Sequence, residues 1–465
     1  MHVSGCQISP HRQIQILYLV GAQPACGRQA RLCPFWSKPM RLGNVRFSLF
    51  LFIALFLLIP FASFSSQAQR KAPPDPARPK IRAITAFINL DRAQYQQQVA
   101  DAMTMLKRAR TIFESRDFEV ETIRISTQPF SEYTKGLTAE QALAFFKDYD
   151  ALATQDKFDA SIGPAMLHAD DPESQADLLV DVLKNTKSIN ASLVVADENG
   201  VRWPSVGAAA RAMLKLSATE HSQANFSFSA IALVPPLTPF FPGSYHTGFG
   251  HQFAIALESA NTVAAAFQGA PDLATARRRL TDRLGSDAFA IEALAGRVDQ
   301  DTGWTYMGID LSPAPLKNVS IAAALETLTG QPIGSPGTLT GAATITAAIR
   351  DIQVKQTGYS GLMLPVLEDS RLAQRWSEGR VSLDALLSYS AVCGTGLDTV
   401  PLPGDITEQQ LELIIGDMAS LAVKWHKPLS ARLLPVTGKN AGDTTEFDDP
   451  FLVNATLQPI GGKSQ

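Results

Sequence analysis

Residues 81–113 read IRAITAFINLDRAQYQQQVADAMTMLKRARTIF, and this stretch decides the fold class. Its first part, residues 81–90, is rich in branched apolar side chains and contains no breaker, so it predicts a buried strand. Asp91 can cap the segment that follows. Apolar residues then recur at helical spacing, at Val99, Met103, Leu106 and Phe113. A strand followed at once by an amphipathic helix is the unit from which α/β proteins are built.

The alternation of strand and helix continues to the C-terminus. Further strands are predicted at residues 118–127, 190–197, 225–234, 251–259, 305–312, 361–369 and 429–437. Helices separate them, and Thr138 with Gln141 forms a capping-box pattern at the start of one helix. The pattern predicts a single large α/β domain over residues 81–465, with strands covered on both faces.

The N-terminal part of the chain has the features of an export signal. Residues 47–62 are almost uninterruptedly apolar, and Ser66 and Ala68 follow at the spacing that a signal peptidase accepts. The apolar run is shorter than the roughly 20 residues of a membrane span. We therefore predict a signal peptide at residues 40–68 and a periplasmic or secreted protein. An uncleaved membrane anchor is the alternative.

Two further segments flank this signal. Residues 1–39 precede Met40 and show no clear period, so we predict that they are an extension of the gene model and not part of the fold. Residues 69–80 contain four prolines and predict an extended tether between the signal and the domain.

Charge and cysteine content exclude several classes of function. The chain of 465 residues has a formal net charge of −3, which gives no reason to expect nucleic acid as a partner. Of its four cysteines, only Cys393 follows the predicted signal. One thiol cannot form an internal disulfide or a multi-cysteine metal site. Membrane contact is expected only through an uncleaved signal, and assembly into a homo-oligomer is left open.

Two candidate functional residues lie in glycine-rich loops. Cys393 lies in SAVCGTGLD, where a tight turn would expose the sulfur as a nucleophile or substrate contact. The alternative is that it packs as a small apolar residue. His246 lies in PGSYHTG and is a candidate proton carrier. Its alternative role is to shape the loop by hydrogen bonding to a backbone carbonyl.

Three carboxylates, on Asp310, Glu368 and Asp398, lie near the ends of predicted strands. If they converge, they could act as general acid and base, orient a substrate, or bind a divalent metal through oxygen. The alternative is that each caps a turn or a helix. His246 and His251 lack a recognised metal-ligand spacing. No other cofactor is predicted.

Six stretches of the chain, in this order, are similar to those of a known family. They are KIRAITAFINL, FFPGSYHTGFG, MGIDLSPAP, GTLTGAATITAAI, GYSGLMLPVLEDSRLA and SAVCGTGLDTVPLPGDIT. The chain resembles the domain-of-unknown-function 711 family, also called uncharacterised protein family 0210. The resemblance implies a closed ten-stranded α/β barrel similar to that of glycyl-radical enzymes of the pyruvate formate-lyase type, with an inner hairpin loop. In that fold the Cys393 loop would correspond to the inner cysteine loop.

The resemblance brings no settled activity. The C-terminal end contains Gly461 and Gly462 without a glycyl-radical signature, and an exported protein would meet oxygen, so radical chemistry is not expected. We expect an enzyme that acts on a small polar molecule in the barrel cavity, lined by Cys393, His246 and the three carboxylates. The alternative is a periplasmic ligand-binding or scaffold protein without turnover.

Overall fold

A computed structural model describes residues 75–461, which belong to one compact unit. The predicted N-terminal extension, the predicted signal peptide, most of the predicted tether and the three N-terminal cysteines lie outside these residues. Residues 75–79 fall within the predicted tether but contact the domain, for example through the ion pair between Arg78 and Asp287. The chain is thus packed on the domain before the first strand begins.

Ten strands form one mixed sheet. In chain order they are β1 (Lys80–Ile88), β2 (Val120–Thr127), β3 (Asp159–Ala165), β4 (Ile189–Asp197), β5 (Gly200–Val201), β6 (Phe228–Ala232), β7 (Gln252–Glu258), β8 (Thr305–Ala314), β9 (Gly396–Pro403) and β10 (Leu429–Val436). The order across the sheet is β8-β7-β1-β2-β3-β4-β6-β10-β9, and β5 pairs with β4. Strands β1, β2, β3, β4 and β6 are parallel, whereas β7 is antiparallel to β1 and β10 to β6.

Helices separate most of the strands. In the described residues they are α1 (Tyr95–Glu114), α2 (Phe130–Tyr133), α3 (Ala139–Asp156), α4 (Ser174–Asn185), α5 (Trp203–Ser217), α6 (Ala260–Phe267), α7 (Leu273–Thr302), α8 (Ile321–Thr329), α9 (Thr338–Arg350), α10 (Ser370–Ser377), α11 (Leu383–Ser390) and α12 (Glu408–Trp425). The predicted capping box of Thr138 and Gln141 opens α3. None of these helices is both long and apolar enough to cross a membrane.

The sheet separates two apolar clusters. The larger cluster lies between the sheet and the helices and includes the four apolar residues of α1 that recur at helical spacing. The smaller cluster joins side chains of β1, β4, β6, β7 and β8 to two loops; its members are Ala83, Val194, Ile231, Val234, Phe240, Tyr245, Ala256, Ala314, Tyr359 and Met363. Because strands from so much of the sheet meet in one small cluster, the sheet curves around these loops.

The sheet is nevertheless not closed. Its edge strands, β8 and β9, do not pair with each other. Residues 355–366 lie between them and make single bridges to each side. The Ile309 N–H donates to the Lys355 carbonyl at 2.8 Å, and the Val366 N–H donates to the Asp398 carbonyl at 3.0 Å. The predicted α/β class and the ten strands are observed, but the closed barrel is not.

Proline accounts for the main errors of the strand prediction. Pro365 has no N–H to donate, and residues 361–369, predicted as a strand, make only isolated bridges. The prediction missed the two-residue strand β5, and it missed β3 and β9, whose sequences contain proline and glycine. Strand β9 tolerates its prolines because it is an edge strand. In β3, Pro164 coincides with a shift in register against β4.

Candidate functional site

A cavity of about 270 Å³ lies on the inner face of the sheet. Five of the six family-like stretches contribute to its wall, at Arg82 and within residues 240–242, 314–315, 359–368 and 395–398. The remaining stretch, GTLTGAATITAAI, does not line it. The curvature of the sheet therefore gathers distant loops around one space.

Three arginines from different strands line this cavity: Arg82 of β1, Arg124 of β2 and Arg432 of β10. Each guanidinium lies over a phenyl ring. The distances from the guanidinium carbon to the ring centroid are 5.0 Å for Arg82 and Phe451, 4.8 Å for Arg124 and Phe241, and 4.8 Å for Arg432 and Phe226. Stacking of this kind fixes the plane of a guanidinium and favours its positive charge.

Two of the arginines are held by buried carboxylates. Nη2 of Arg432 contacts Glu368, and its Nε lies 2.7 Å from Oδ1 of Asp398. Nη2 of Arg82 lies 3.4 Å from the other oxygen of Glu368, and its Nη1 lies 3.3 Å from Glu258. A continuous chain of contacts runs from Asp398 through Arg432, Glu368 and Arg82 to Glu258, so that each of the two arginines lies between two carboxyl groups.

Burial and neighbouring charges set the protonation of this chain. Burial lowers the pKa of Arg432, but Asp398 and Glu368 outweigh it and raise the pKa above its usual value. Burial raises the pKa of Glu368, although Arg432 opposes the shift. Burial, together with the nearby carboxylate of Glu121, raises the pKa of Glu258 to about 8. Glu258 therefore keeps a proton at neutral pH.

Arg124 differs from the other two arginines because its counter-ion is more distant and more exposed. Its Nε donates to Oγ1 of Thr122 at 3.1 Å, and the carboxylate of Asp159 is 3.8 Å away and 46% exposed. Its Nη1 and Nη2 atoms have no hydrogen-bond partner among the described residues. The Arg124 side chain is only 11% exposed, and burial lowers its pKa to about 10. It is therefore a largely buried, charged group in the cavity wall, and its Nη atoms are accessible to solvent.

Comparison with known proteins identifies the family. The family described as Uncharacterised ACR (DUF711) matches residues 76–449. The chain belongs to the DUF711 family. A UPF0210 protein of Pyrobaculum islandicum is 33% identical over 398 residues, covering 79% of this chain and 87% of that protein. A UPF0210 protein of Pyrobaculum arsenaticum is also 33% identical, covering 70% and 75%. The resemblance inferred from the six stretches is confirmed.

One solved structure is also similar to this DUF711 protein. The anaerobic ribonucleotide reductase of Thermotoga maritima, in complex with dATP and CTP, aligns with 81% of each chain at 8% identity and a TM-score of 0.39.

Of the five candidate site residues from the sequence, two line the cavity: Glu368 and Asp398. Asp310 is fully buried behind the wall. Its carboxylate accepts hydrogen bonds from the N–H groups of Tyr359 at 2.7 Å and Ser360 at 3.0 Å. This arrangement matches the turn-capping alternative, because it ties β8 to the loop that lies in the gap of the sheet.

His246 is also outside the cavity wall. Its Nε2 contacts the carbonyl oxygen of Ile88, and its ring packs edge-on against Phe87 at 6.3 Å between centroids. Burial lowers the pKa of His246, so the ring is neutral at pH 7. These contacts match the loop-shaping alternative. Among residues 75–461, no group of three or more His, Cys, Asp or Glu side chains is arranged to hold a metal ion.

Cys393 is 1% exposed and belongs to the large apolar cluster, so the expected exposure of its sulfur is not observed. The neighbouring glycine has a packing role. A Cβ atom on Gly394 would lie 2.9 Å from the Cα of Gly361, and the Gly394 N–H donates to the Leu362 carbonyl at 2.6 Å. The glycine-rich stretch therefore allows two loops to approach closely and does not present the thiol.

Sequence reasoning missed the three cavity arginines. Each interrupts an otherwise apolar or small-residue strand, in IRAIT, TIRIST and SARLL. A charged side chain in a strand that is covered on both faces must find a partner or line a polar space. That conflict between position and residue type was the available signal for Arg82, Arg124 and Arg432.

Proposed function

We propose that this protein binds a small organic anion in the cavity, and that Arg124 pairs with its carboxylate or phosphate group. The observation that carries the proposal is that, among residues 75–461, the two Nη atoms of Arg124 have no hydrogen-bond partner, although the side chain is only 11% exposed. The two Nη atoms remain accessible from the cavity, so a bound anion can pair with them in place of water. The planar fork of arginine suits the two oxygens of a carboxylate or phosphate.

The existing ion pairs of the other two cavity arginines favour Arg124 as the residue that contacts the anion. Arg82 and Arg432 already contact Glu258, Glu368 and Asp398, so an incoming anion would compete with internal carboxylates. Lys187, which is exposed and also lines the cavity, adds a positive charge at its edge. A cavity of about 270 Å³ lies at the small end of ligand sites, which favours a metabolite of a few carbon atoms.

A thermal-shift screen tests this proposal. The full-length protein is heated with carboxylates and phosphate esters of three to six carbons, and a ligand at ~100 times its Kd adds about 2.7 kcal/mol to stability. We expect the wild type and Arg108→Gln, a change at an exposed arginine, to respond to the same compounds. Arg124→Gln should fold and lose the response. A response that survives in Arg124→Gln contradicts the proposal.

Acid–base turnover of the bound anion is the second candidate function. It is favoured by Glu368, a cavity-lining carboxyl group whose pKa is raised by burial. For any compound that stabilises the wild type, exchange of its carbon-bound hydrogen in D₂O is followed by NMR. Glu368→Gln should bind the compound without exchange. Wild-type binding without exchange or product leaves ligand binding alone as the function.

Export is also part of the proposal, and its support is the apolar run at residues 47–62 with small residues after it. Expression in a bacterial host followed by cell fractionation and N-terminal sequencing tests it. We expect mature protein outside the cytoplasm that begins near residue 69. Protein that keeps residues 40–68 in the membrane fraction would support the anchor instead.

A further inference from the structure

Two buried hydroxyl groups in the cavity wall lack hydrogen-bond partners. Ser229 of β6 is 1% exposed and Thr395, just before β9, is 2% exposed. Both residues line the cavity, and neither hydroxyl oxygen has a partner among residues 75–461. Buried polar groups are satisfied in the large majority of cases, so a pair of exceptions in one cavity wall needs an explanation.

Other serines on the inner face show how this requirement is usually met. Ser161 donates to the carbonyl of Ser244 at 2.7 Å, and Ser126 accepts from the hydroxyl of Ser244 at 3.0 Å. The loop that contains Ser244 thus supplies hydrogen-bond partners for the serines of β2 and β3. The hydroxyl of Ser430 in β10 donates to the Thr395 carbonyl at 3.0 Å, which leaves the Thr395 hydroxyl itself without a partner.

We propose that Ser229 and Thr395 form a second polar subsite, so that the ligand carries a hydroxyl or carbonyl oxygen in addition to its acidic group. The inference rests on the proposed binding of an organic anion by Arg124 and narrows its class to hydroxy acids, oxo acids and the phosphate esters of polyols. A hydroxyl can donate and accept, so Ser229 and Thr395 suit either oxygen type. The anionic end pairs with Arg124 of β2, and the oxygenated part lies against β6 and the start of β9.

Matched ligands separate the two subsites. The full-length protein is titrated calorimetrically with malate and succinate, with gluconate and hexanoate, and with glycerol phosphate and propyl phosphate. One neutral hydrogen bond contributes roughly 1 kcal/mol, so the oxygenated member of at least one pair should bind about 3- to 10-fold more tightly. Ser229→Ala and Thr395→Val should each reduce this preference while the affinity for the deoxygenated member is unchanged.

Ser192→Ala is the matched control. Ser192 is also fully buried with an unpartnered hydroxyl, but it does not line the cavity, so its removal should leave the preference intact. Circular dichroism and melting temperature establish that each variant folds. If Arg124→Gln abolishes binding while Ser229→Ala and Thr395→Val keep the full preference, the second subsite is refuted and anion binding stands. Binding of no acid to the wild type refutes both proposals.

Discussion

Replacing Arg432 with methionine should destabilise the protein more than its loss of volume suggests. The guanidinium contacts Glu368 and Asp398 and lies over Phe226, and the Arg432 side chain is only 10% exposed. Methionine can keep much of the packing on the ring, but it removes the positive charge. Within residues 75–461, Asp398 is then left without an ion-pair partner, and Glu368 keeps Arg82, at 3.4 Å.

The expected magnitude follows from burial. Removing one partner of a buried ion pair typically costs about 3–5 kcal/mol because it leaves an uncompensated charge. Unfolding entropy scales with length, so a domain of this size has a melting entropy of roughly 0.8 kcal/mol per kelvin. Arg432→Met should therefore melt about 5 °C below the wild type. As a control, Arg108→Met should cost at most about 1 kcal/mol, because the Arg108 side chain is 50% exposed where it pairs with Asp301.

Urea midpoints and melting temperatures from pH 4 to pH 8 provide the assay. In the variant, Glu368 loses the arginine that opposes the effect of burial, so its pKa rises further above that of the unfolded chain. Its protonated form is tolerated at low pH, and stability is lost as the pH rises through the new pKa. The gap to the wild type should therefore narrow toward pH 4. Adding Glu368→Gln and Asp398→Asn should recover part of the loss at pH 7. A cost below 1 kcal/mol, or a gap independent of pH, refutes the reasoning.

Three further predictions concern buried groups. Burial raises the pKa of Glu258 to about 8, so its contribution to stability is present below about pH 4.5 and is lost as the pH rises through 8; Glu258→Gln should flatten urea stability between pH 6 and pH 9, and an unchanged slope would contradict the assignment. In a full-length protein with serine at the other three cysteines, Cys393 should react with a thiol reagent only after denaturation, because it is 1% exposed; rapid labelling of the native protein would show that the sulfur is accessible. A Cβ on Gly358 (φ +65°) would lie 2.2 Å from Asp310, whereas one on Gly136 (φ +82°) meets nothing within 4 Å. Gly136→Ala should therefore cost only the roughly 1–2 kcal/mol of left-handed backbone strain, and Gly358→Ala should cost well over that amount. Equal urea midpoints for the two variants would contradict the close approach.

Local patterns in the sequence predicted the elements that depend on short-range physics. The run of branched residues in β1, the helical spacing in α1 and the capping box of α3 appear where they were expected. Strands β3 and β9 were missed because their prolines weaken the local signal, and their neighbours in the sheet compensate for it. The family, too, followed from the sequence, because its ordered motifs extend along the chain.

The site depended on contacts that no local pattern contains. Glu368 and Asp398, two candidate site residues from the sequence, line the cavity, but the sequence could not show that Arg432 lies between them. It also could not show that the glycine beside Cys393 serves loop packing, or that His246 faces a carbonyl and not the cavity. The sequence shows which side chains share one face of a strand, because the backbone sets a period of two residues. It does not show which of the two faces lines a cavity, or which charged side chain there lacks a close partner. The tertiary structure decides both, because only the curved sheet brings distant strands together and excludes water.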